Sequence, residues 1–282
     1  MTGLDGVAAL RRWRAQGAAG VRLGLVPTMG ALHEGHLSLV RRAKRECDLA
    51  IASIFVNPLQ FGPGEDFERY PRDVEGDRRL LESAACDAVF TIAPDDMYPP
   101  GFATYVVEDG PALPLEGAAR PGHFRGVCTV VLKLLNLVQP FRSYFGQKDF
   151  QQTVVIRRMA FDLNVPGEIV VCPTVREEDG LALSSRNRYL TPEERPDALS
   201  LSRGLREAER LFAAGERRAA PILEAVRGAV LRAPRARLEY AAVADPTTLA
   251  PVDPVRPDDV VLVAARVGAT RLIDNTILTG SP

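Results

Sequence analysis

Short runs rich in valine and isoleucine recur along the first 175 residues, and segments with helical periodicity lie between them. This alternation constrains the fold more than any other feature of the chain. It predicts strands at 21–26, 49–56, 87–92, 142–146 and 167–175, and helices at 34–46, 75–85, 123–138 and 149–162. Strands alternating with helices make βαβ units, so the expected fold class is α/β, a Rossmann-like doubly wound parallel sheet. Residues 124–138, FRGVCTVVLKLLNLV, are apolar almost all round, as a helix buried against such a sheet must be.

The texture changes near Pro173. A polar stretch, 176–187, leads into two helices rich in Ala, Arg and Glu, expected at 192–214 and 218–232. Thr191 is placed to cap the first, with Pro192 in its first turn. Strands follow near 238–244, 258–266 and 270–278 and read as an antiparallel set. A chain of 282 residues accommodates two domains. The expected division is 1–174 for the Rossmann-like domain and 175–282 for a smaller C-terminal α+β domain, with a cleft between the halves.

Charge narrows the partners. Lys and Arg total 35 against 36 Asp and Glu, so no basic field exists to hold nucleic acid or an anionic membrane. The run Arg41-Arg42-Ala43-Lys44-Arg45 reads as the solvated face of a helix. No apolar run is long enough to cross a bilayer, and the first residues lack the pattern of a secretory leader. Cys47, Cys86, Cys128 and Cys172 sit far apart in apolar surroundings without a C-x-x-C spacing. They read as small buried hydrophobes in a reducing compartment, so a cytoplasmic location is expected.

The stretch VPTMGALHEGH, 26–36, uses two of the three histidines in the chain. A strand runs into a glycine-bearing turn, with Gly30 and Gly35, and a helix opens near His33. In an open parallel sheet, ligands bind at the carboxyl ends of strands, where helix N-termini aim N–H groups at anions. His33 and His36 share one face of that first turn, and a helix N-terminus disfavours imidazolium, so both rings are expected to be neutral donors. Zinc is the weaker reading. H-E-x-x-H spaces its histidines by four rather than three, and only His123 remains as a third imidazole.

FGQKDFQQ, 145–152, again follows a strand and opens a helix. Lys148 is one of three lysines in a chain that otherwise uses Arg, and a compact ammonium suits a phosphate oxygen. Taken alone, a surface lysine paired with Asp149 explains it equally well; Gly146 and the paired glutamines weigh against that. Ser184-Ser185-Arg186, on a loop at the domain junction, offers hydroxyls and a guanidinium that can close over a triphosphate. FVNPLQF, 55–61, ends a strand with the amides Asn57 and Gln60, suited to a neutral hydroxyl-bearing substrate. RPGHFRG, 120–126, sets His123 beside Arg120 and Arg125.

In this order and spacing, PTMGALHEGH, FVNPLQF, RPGHFRGV, FGQKDFQQ and DGLALSSRN resemble the pantothenate synthetase (pantoate–β-alanine ligase) family. That family lies in the nucleotidylyltransferase superfamily, which shares the "HIGH" signature with class I aminoacyl-tRNA synthetases. The resemblance spans nearly the whole chain. It implies ATP-dependent condensation of pantoate with β-alanine through an acyl adenylate, with Mg²⁺ carried mostly by the ATP phosphates, and a homodimer. Residues 1–174 would then bind nucleotide and pantoate, and 175–282 would act as a lid.

By position, Met29, Gly30, His33, Gly35 and His36 correspond to the ATP-binding turn, with His36 as proton donor and His33 beside it on the phosphates. Gln60 and Gln152 correspond to residues that hold pantoate, and Gln60 also to one that meets β-alanine. Gly146 and Lys148 would meet phosphate, Asp149 the ribose, and the backbone of Val175 the adenine. Leu183, Ser184, Ser185 and Arg186 would close over the triphosphate, with Arg120 near it. Position 183 is often Met in the family, and Leu conserves the volume. Asp73, Glu75 and Asp77 form an acidic set able to assist Mg²⁺, with no ligand assigned.

Two other function classes compete. A nucleotidylyltransferase acting on a phosphorylated alcohol or a nucleotide needs a second cationic site, whereas Gln60 and Gln152 suit an uncharged diol. A synthetase-like RNA-binding protein needs a basic stripe, which a net charge of -1 does not suggest.

Overall fold

The structure, a computed structural model, describes residues 1–17 and 20–279. The chain runs β1 (Thr2–Asp5), α1 (Gly6–Gly17), β2 (Leu23–Thr28), α2 (Glu34–Glu46), β3 (Leu49–Ile54), α3 (Val74–Ser83) and β4 (Ala88–Thr91). There follow α4 (Pro94–Met97), α5 (Glu116–Ala119), α6 (His123–Val138), β5 (Arg142–Gly146), α7 (Phe150–Asp162) and β6 (Glu168–Cys172). The last elements are α8 (Arg195–Ala213), α9 (Ala219–Leu231), β7 (Ala236–Ala244), β8 (Val260–Val267) and β9 (Thr270–Ile277). Single 3₁₀ turns cover Pro58–Gln60, Gln147–Asp149 and Ser185–Tyr189.

Six strands, in the order β1-β4-β3-β2-β5-β6, form one sheet in which every neighbouring pair is parallel. Alternate residues of the central strands feed opposite faces. Leu23, Leu25, Ile51, Phe90 and Phe145 pack under α6 and part of α7, while Val26, Ala50, Ala52, Val89 and Tyr144 pack under α2 and α3. From β2 the chain moves outward through β3 and β4, then returns to the other side of β2 with β5 and β6. The strand order therefore reverses between β2 and β5, where doubly wound sheets place their ligands.

Two compact units divide the chain. One is Met1–Gly146 with Val155–Pro173; the other is Gln147–Val154 with Thr174–Pro282. Composition suggests a single cut after residue 174, and it gives no hint that 147–154 groups with the C-terminal residues. In that second unit the antiparallel sheet β7-β8-β9 packs on α8 and α9 through Leu201, Leu205, Phe212, Val226, Val261 and Val263.

Some boundaries differ from those expected. β1 and α1 carry only one fully buried residue each, Leu4 and Leu10, too few to give the N-terminal segment a periodic signal. β6 stops at Cys172 because Pro173 has no N–H to continue the ladder. Thr191 does cap the turn that leads into α8, its Oγ1 accepting the Glu194 N–H at 3.3 Å while Glu194 Oε2 accepts the Thr191 N–H at 3.0 Å. The helix start is corrected: α8 begins at Arg195, with Glu194 as its N-cap. Pro196 cannot donate to the Pro192 carbonyl, so the α-helical ladder cannot run through this point. Instead Thr191 closes a separate turn, its carbonyl accepting from the Glu194 and Arg195 N–H groups. Among the described residues, no helix is long and apolar enough to cross a membrane.

Candidate active site

The turn that follows β2 is built by backbone conformation and one carboxylate. Gly30 has φ +88, a left-handed conformation that favours glycine, and a Cβ there would also lie 2.8 Å from Asp77 Oδ2. Asp77, buried on α3, accepts the Ala31 N–H at 2.9 Å and the Leu32 N–H at 2.7 Å. Those two bonds hold the turn that leads into α2. Asp73 is likewise used locally: it caps α3 by accepting the Gly76 N–H at 2.9 Å. Two of the three carboxylates considered for Mg²⁺ are therefore spent on backbone donors.

His33 is the N-cap of α2 and His36 its third residue, with ring centroids 4.1 Å apart. The His33 N–H donates to His36 Nδ1 at 3.3 Å. A backbone N–H can only donate, so Nδ1 must be unprotonated and the ring proton sits on Nε2. His36 is thereby fixed as a neutral imidazole presenting an Nε2–H donor at a helix N-terminus.

A second set follows β3. Asn57 is buried, and its Nδ2 donates to Gln60 Oε1 at 3.0 Å and to the Gly126 carbonyl at 3.1 Å, while its Oδ1 accepts from Tyr98 Oη at 2.7 Å. Gln60 Nε2 in turn donates to Met29 Sδ at 3.0 Å. Thioether sulfur is a weak acceptor, so this amide N–H is readily given up to an oxygen-bearing ligand. Gly126 lets α6 press directly on this turn: a Cβ there would lie 2.2 Å from the Leu59 carbonyl oxygen.

Arg120 sits behind Gln60. Its guanidinium donates to both oxygens of Glu65, at 2.7 and 2.6 Å, to the Gln60 carbonyl at 3.2 Å and to His123 Nε2 at 3.1 Å. Because arginine only donates, Nε2 of His123 is the acceptor, and Nδ1–H donates to the same Gln60 carbonyl at 2.8 Å. Arg120 and His123 thus converge on the backbone of Gln60.

The other proposed residues lie in the second unit. Lys148 Nζ meets Asp149 Oδ1 at 3.2 Å, and the lysine side chain is 19% exposed against 46% for the aspartate. The pair anticipated as the plain alternative exists, but the lysine is largely shielded. Gln152 is half-buried on the first turn of α7. Val175 and Leu183 are joined, the Leu183 N–H donating to the Val175 carbonyl at 3.0 Å. Ser184 caps the 3₁₀ turn Ser185–Tyr189 by accepting the Arg186 N–H at 3.3 Å.

A family model described as pantoate-beta-alanine ligase matches residues 3–277. The chain belongs to the pantoate–β-alanine ligase family. It is 55% identical over 276 residues to the pantothenate synthetase of Moorella thermoacetica, covering 98% of each chain. It is 58% identical over 256 residues to that of Thermotoga neapolitana, covering 91% of each. Its fold is similar to the crystal structure of pantothenate synthetase from Thermus thermophilus, with a TM-score of 0.93 at 49% identity, covering 99% of this chain and 100% of that one. A pantoate–β-alanine ligase from Francisella tularensis, described as complexed with Beta-gamma ATP and Beta-alanine, gives a TM-score of 0.81 at 34% identity, covering 98% and 97%.

Several residues that shape this candidate site escape motif reading. Asp77 shares a helix face with Leu81 at i+4, so a carboxylate on the apolar stripe of α3 was the available signal. Glu65 and Tyr98 carried none, because they lie in irregular segments whose contacts are set by the fold.

The Arg120 cluster gives the site an acid limit. Burial lowers the His123 pKa, and the Arg120 charge beside it adds to the effect, bringing it from 6.5 to about 4. Burial alone would raise Glu65, but the hydrogen bonds and charge of Arg120 outweigh it and bring its pKa from 4.5 to about 2. Both folded values lie below the unfolded ones, so the stability they contribute is complete above pH 6.5 and is lost on acidification. His123 governs the window from 6.5 to about 4, and Glu65 that from 4.5 to about 2. The His123 part is on the order of 3 kcal/mol. Urea unfolding from pH 7 to 4 should show this decline, and His123→Gln should flatten it. An unchanged slope in that variant would contradict the assignment.

Proposed function

We propose that the chain condenses pantoate with β-alanine at the expense of ATP, through a pantoyl adenylate, with release of pyrophosphate and AMP. The observation that carries this reading is the fixed tautomer of His36. Its Nε2–H stands at the N-terminus of α2, which follows the carboxyl end of β2, the kind of place where open parallel sheets bind phosphate. A pantoate carboxylate oxygen attacks the α-phosphorus and pyrophosphate leaves. His36, with His33 beside it, donates to phosphate oxygens as charge grows there. The β-alanine amine then attacks the acyl carbon, and AMP leaves.

Each remaining residue takes a role from the same reading. Met29, Gly30 and Gly35 let the nucleotide approach the backbone, and Gly146 does the same after β5. A Cβ at Gly146 meets no protein atom within 4 Å, so neither packing nor φ explains the glycine and a close ligand does. Lys148 acts on phosphate oxygens, Asp149 on the ribose, and the Val175 backbone on adenine. Leu183, Ser184, Ser185 and Arg186 act on the triphosphate. Gln60 Nε2 leaves Met29 Sδ for a pantoate oxygen, Gln152 completes that subsite, and Asn57 serves it by orienting the Gln60 amide through Oε1. Arg120, already engaged by Glu65 and His123, serves the substrates by fixing Gln60.

Mg²⁺ belongs with the ATP phosphates in this reading. Asp73 and Asp77 are occupied by backbone donors and do not make a protein-held site. Homodimerisation is proposed on the family resemblance alone, and a cytoplasmic location on the four buried, unpaired cysteines. The test is an assay with ATP, Mg²⁺, pantoate and β-alanine, omitting each in turn. AMP should appear only in the complete mixture, and AMP release without pantoate would overturn the reading.

A further inference from the structure

Asn275 lies on β9, far in sequence from every motif, and is 2% exposed. Its Nδ2 donates to two backbone carbonyls, those of Gln147 at 2.9 Å and Lys148 at 2.8 Å, and its Oδ1 accepts from Gln147 Nε2 at 3.3 Å. Both amide hydrogens and one acceptor position are in use. Carbonyl oxygens only accept, so the amide orientation is fixed by its neighbours. The preceding residue, Asp274, is also buried and accepts from Arg176 at 2.7 and 3.0 Å, while Arg176 Nη1 also donates to the Gly180 carbonyl at 3.1 Å. Consecutive residues of one strand therefore fasten two separate segments of the same unit, Gln147–Lys148 and the 176–180 stretch that leads to Ser184.

We infer that Asn275 is a positioning residue for Lys148, setting the main chain from which the ammonium reaches its phosphate; this rests on the phosphate role proposed for Lys148. The 3₁₀ turn Gln147–Asp149 is one turn long and supplies few bonds of its own. A buried amide that binds both of its carbonyls removes the slack that a flexible lysine would otherwise have. Loss of those bonds should therefore be felt at the phosphate as well as in stability.

The test is a double-mutant cycle in the full-length enzyme, following pyrophosphate release with ATP varied. Asn275→Asp is nearly isosteric but turns an oxygen toward two carbonyl oxygens. It should lower kcat/KM for ATP about tenfold to hundredfold when Lys148 is present. In a Lys148→Ala background the same change should cost less than about threefold, because the group it positions is gone. Equal losses in both backgrounds would mean that Asn275 only supports the fold, and would overturn the inference. If Asn275→Asp does not fold, Asn275→Ser removes donor capacity without adding a charge and carries the same cycle. Wild-type kcat/KM in Lys148→Ala itself would instead remove the proposed phosphate role of Lys148, and the inference with it. An impaired Lys148→Ala with additive Asn275 losses would leave that role intact and remove the inference alone.

Discussion

His36→Ala should lower turnover by roughly two to three orders of magnitude, the cost of one preorganised donor aimed at developing charge. The same change removes the acceptor of the His33 N–H, which is a cap-type bond at the start of α2. That loss should cost about 1 kcal/mol and lower Tm by only about 2–4 °C for a chain of this size. His36→Asn separates the two effects. Its Oδ1 can occupy the place of Nδ1 and accept the His33 N–H, but nothing replaces Nε2–H. Tm should recover in the Asn variant while turnover stays low. Near-normal turnover with a large fall in Tm in His36→Ala would make His36 a structural residue.

The second large effect is expected at Lys148. Its contact with Asp149 is a partly exposed ion pair, worth at most about 1 kcal/mol, so stability gives no strong reason to keep it. As a point charge on a phosphate it should matter much more. Lys148→Ala should lose about a hundredfold in kcat/KM for ATP, as a charge-assisted bond made at the phosphate would predict. Lys148→Arg should lose nearly as much, because a bulkier planar fork with its charge spread over three nitrogens cannot place one cation where an ammonium stood. Since Asn275 holds the carbonyls of residues 147 and 148, the backbone is not free to shift and accommodate the larger group. Wild-type activity in the Arg variant would leave Lys148 as the partner of Asp149 and nothing more.

How much of this was legible in the sequence depends on the range of the physics involved. The parallel sheet was legible because β2 and β3 are buried on both faces and read as nearly continuous apolar runs. The turn after β2 was legible because Gly30, His33 and His36 announce themselves locally. By contrast, Asp77 and Asn275 act on backbone groups 45 and 127 residues away or more, and no local pattern encodes the partner of a buried carboxylate or amide. The start of α8 was misplaced because Thr191 and Pro192 form a sound local signal that Pro196 overrides. Arg120 was legible as a candidate position, but its engagement by Glu65 emerges only in three dimensions.

The route of ATP activation is the central claim, and it can be read directly from the products. An amide can be made through an acyl phosphate or an acyl adenylate. The phosphate route commonly uses a G-x-x-x-x-G-K-[ST] loop, which this sequence lacks. The decisive measurement is a rapid-quench assay with enzyme, ATP, Mg²⁺ and pantoate, without β-alanine. We predict a burst of about one pyrophosphate per active site that then stalls, as for an intermediate formed before its acceptor arrives. Adding β-alanine should release AMP and pantothenate from the same sites. ADP and orthophosphate as products would contradict the adenylate route, and with it the α-phosphate role given to His36.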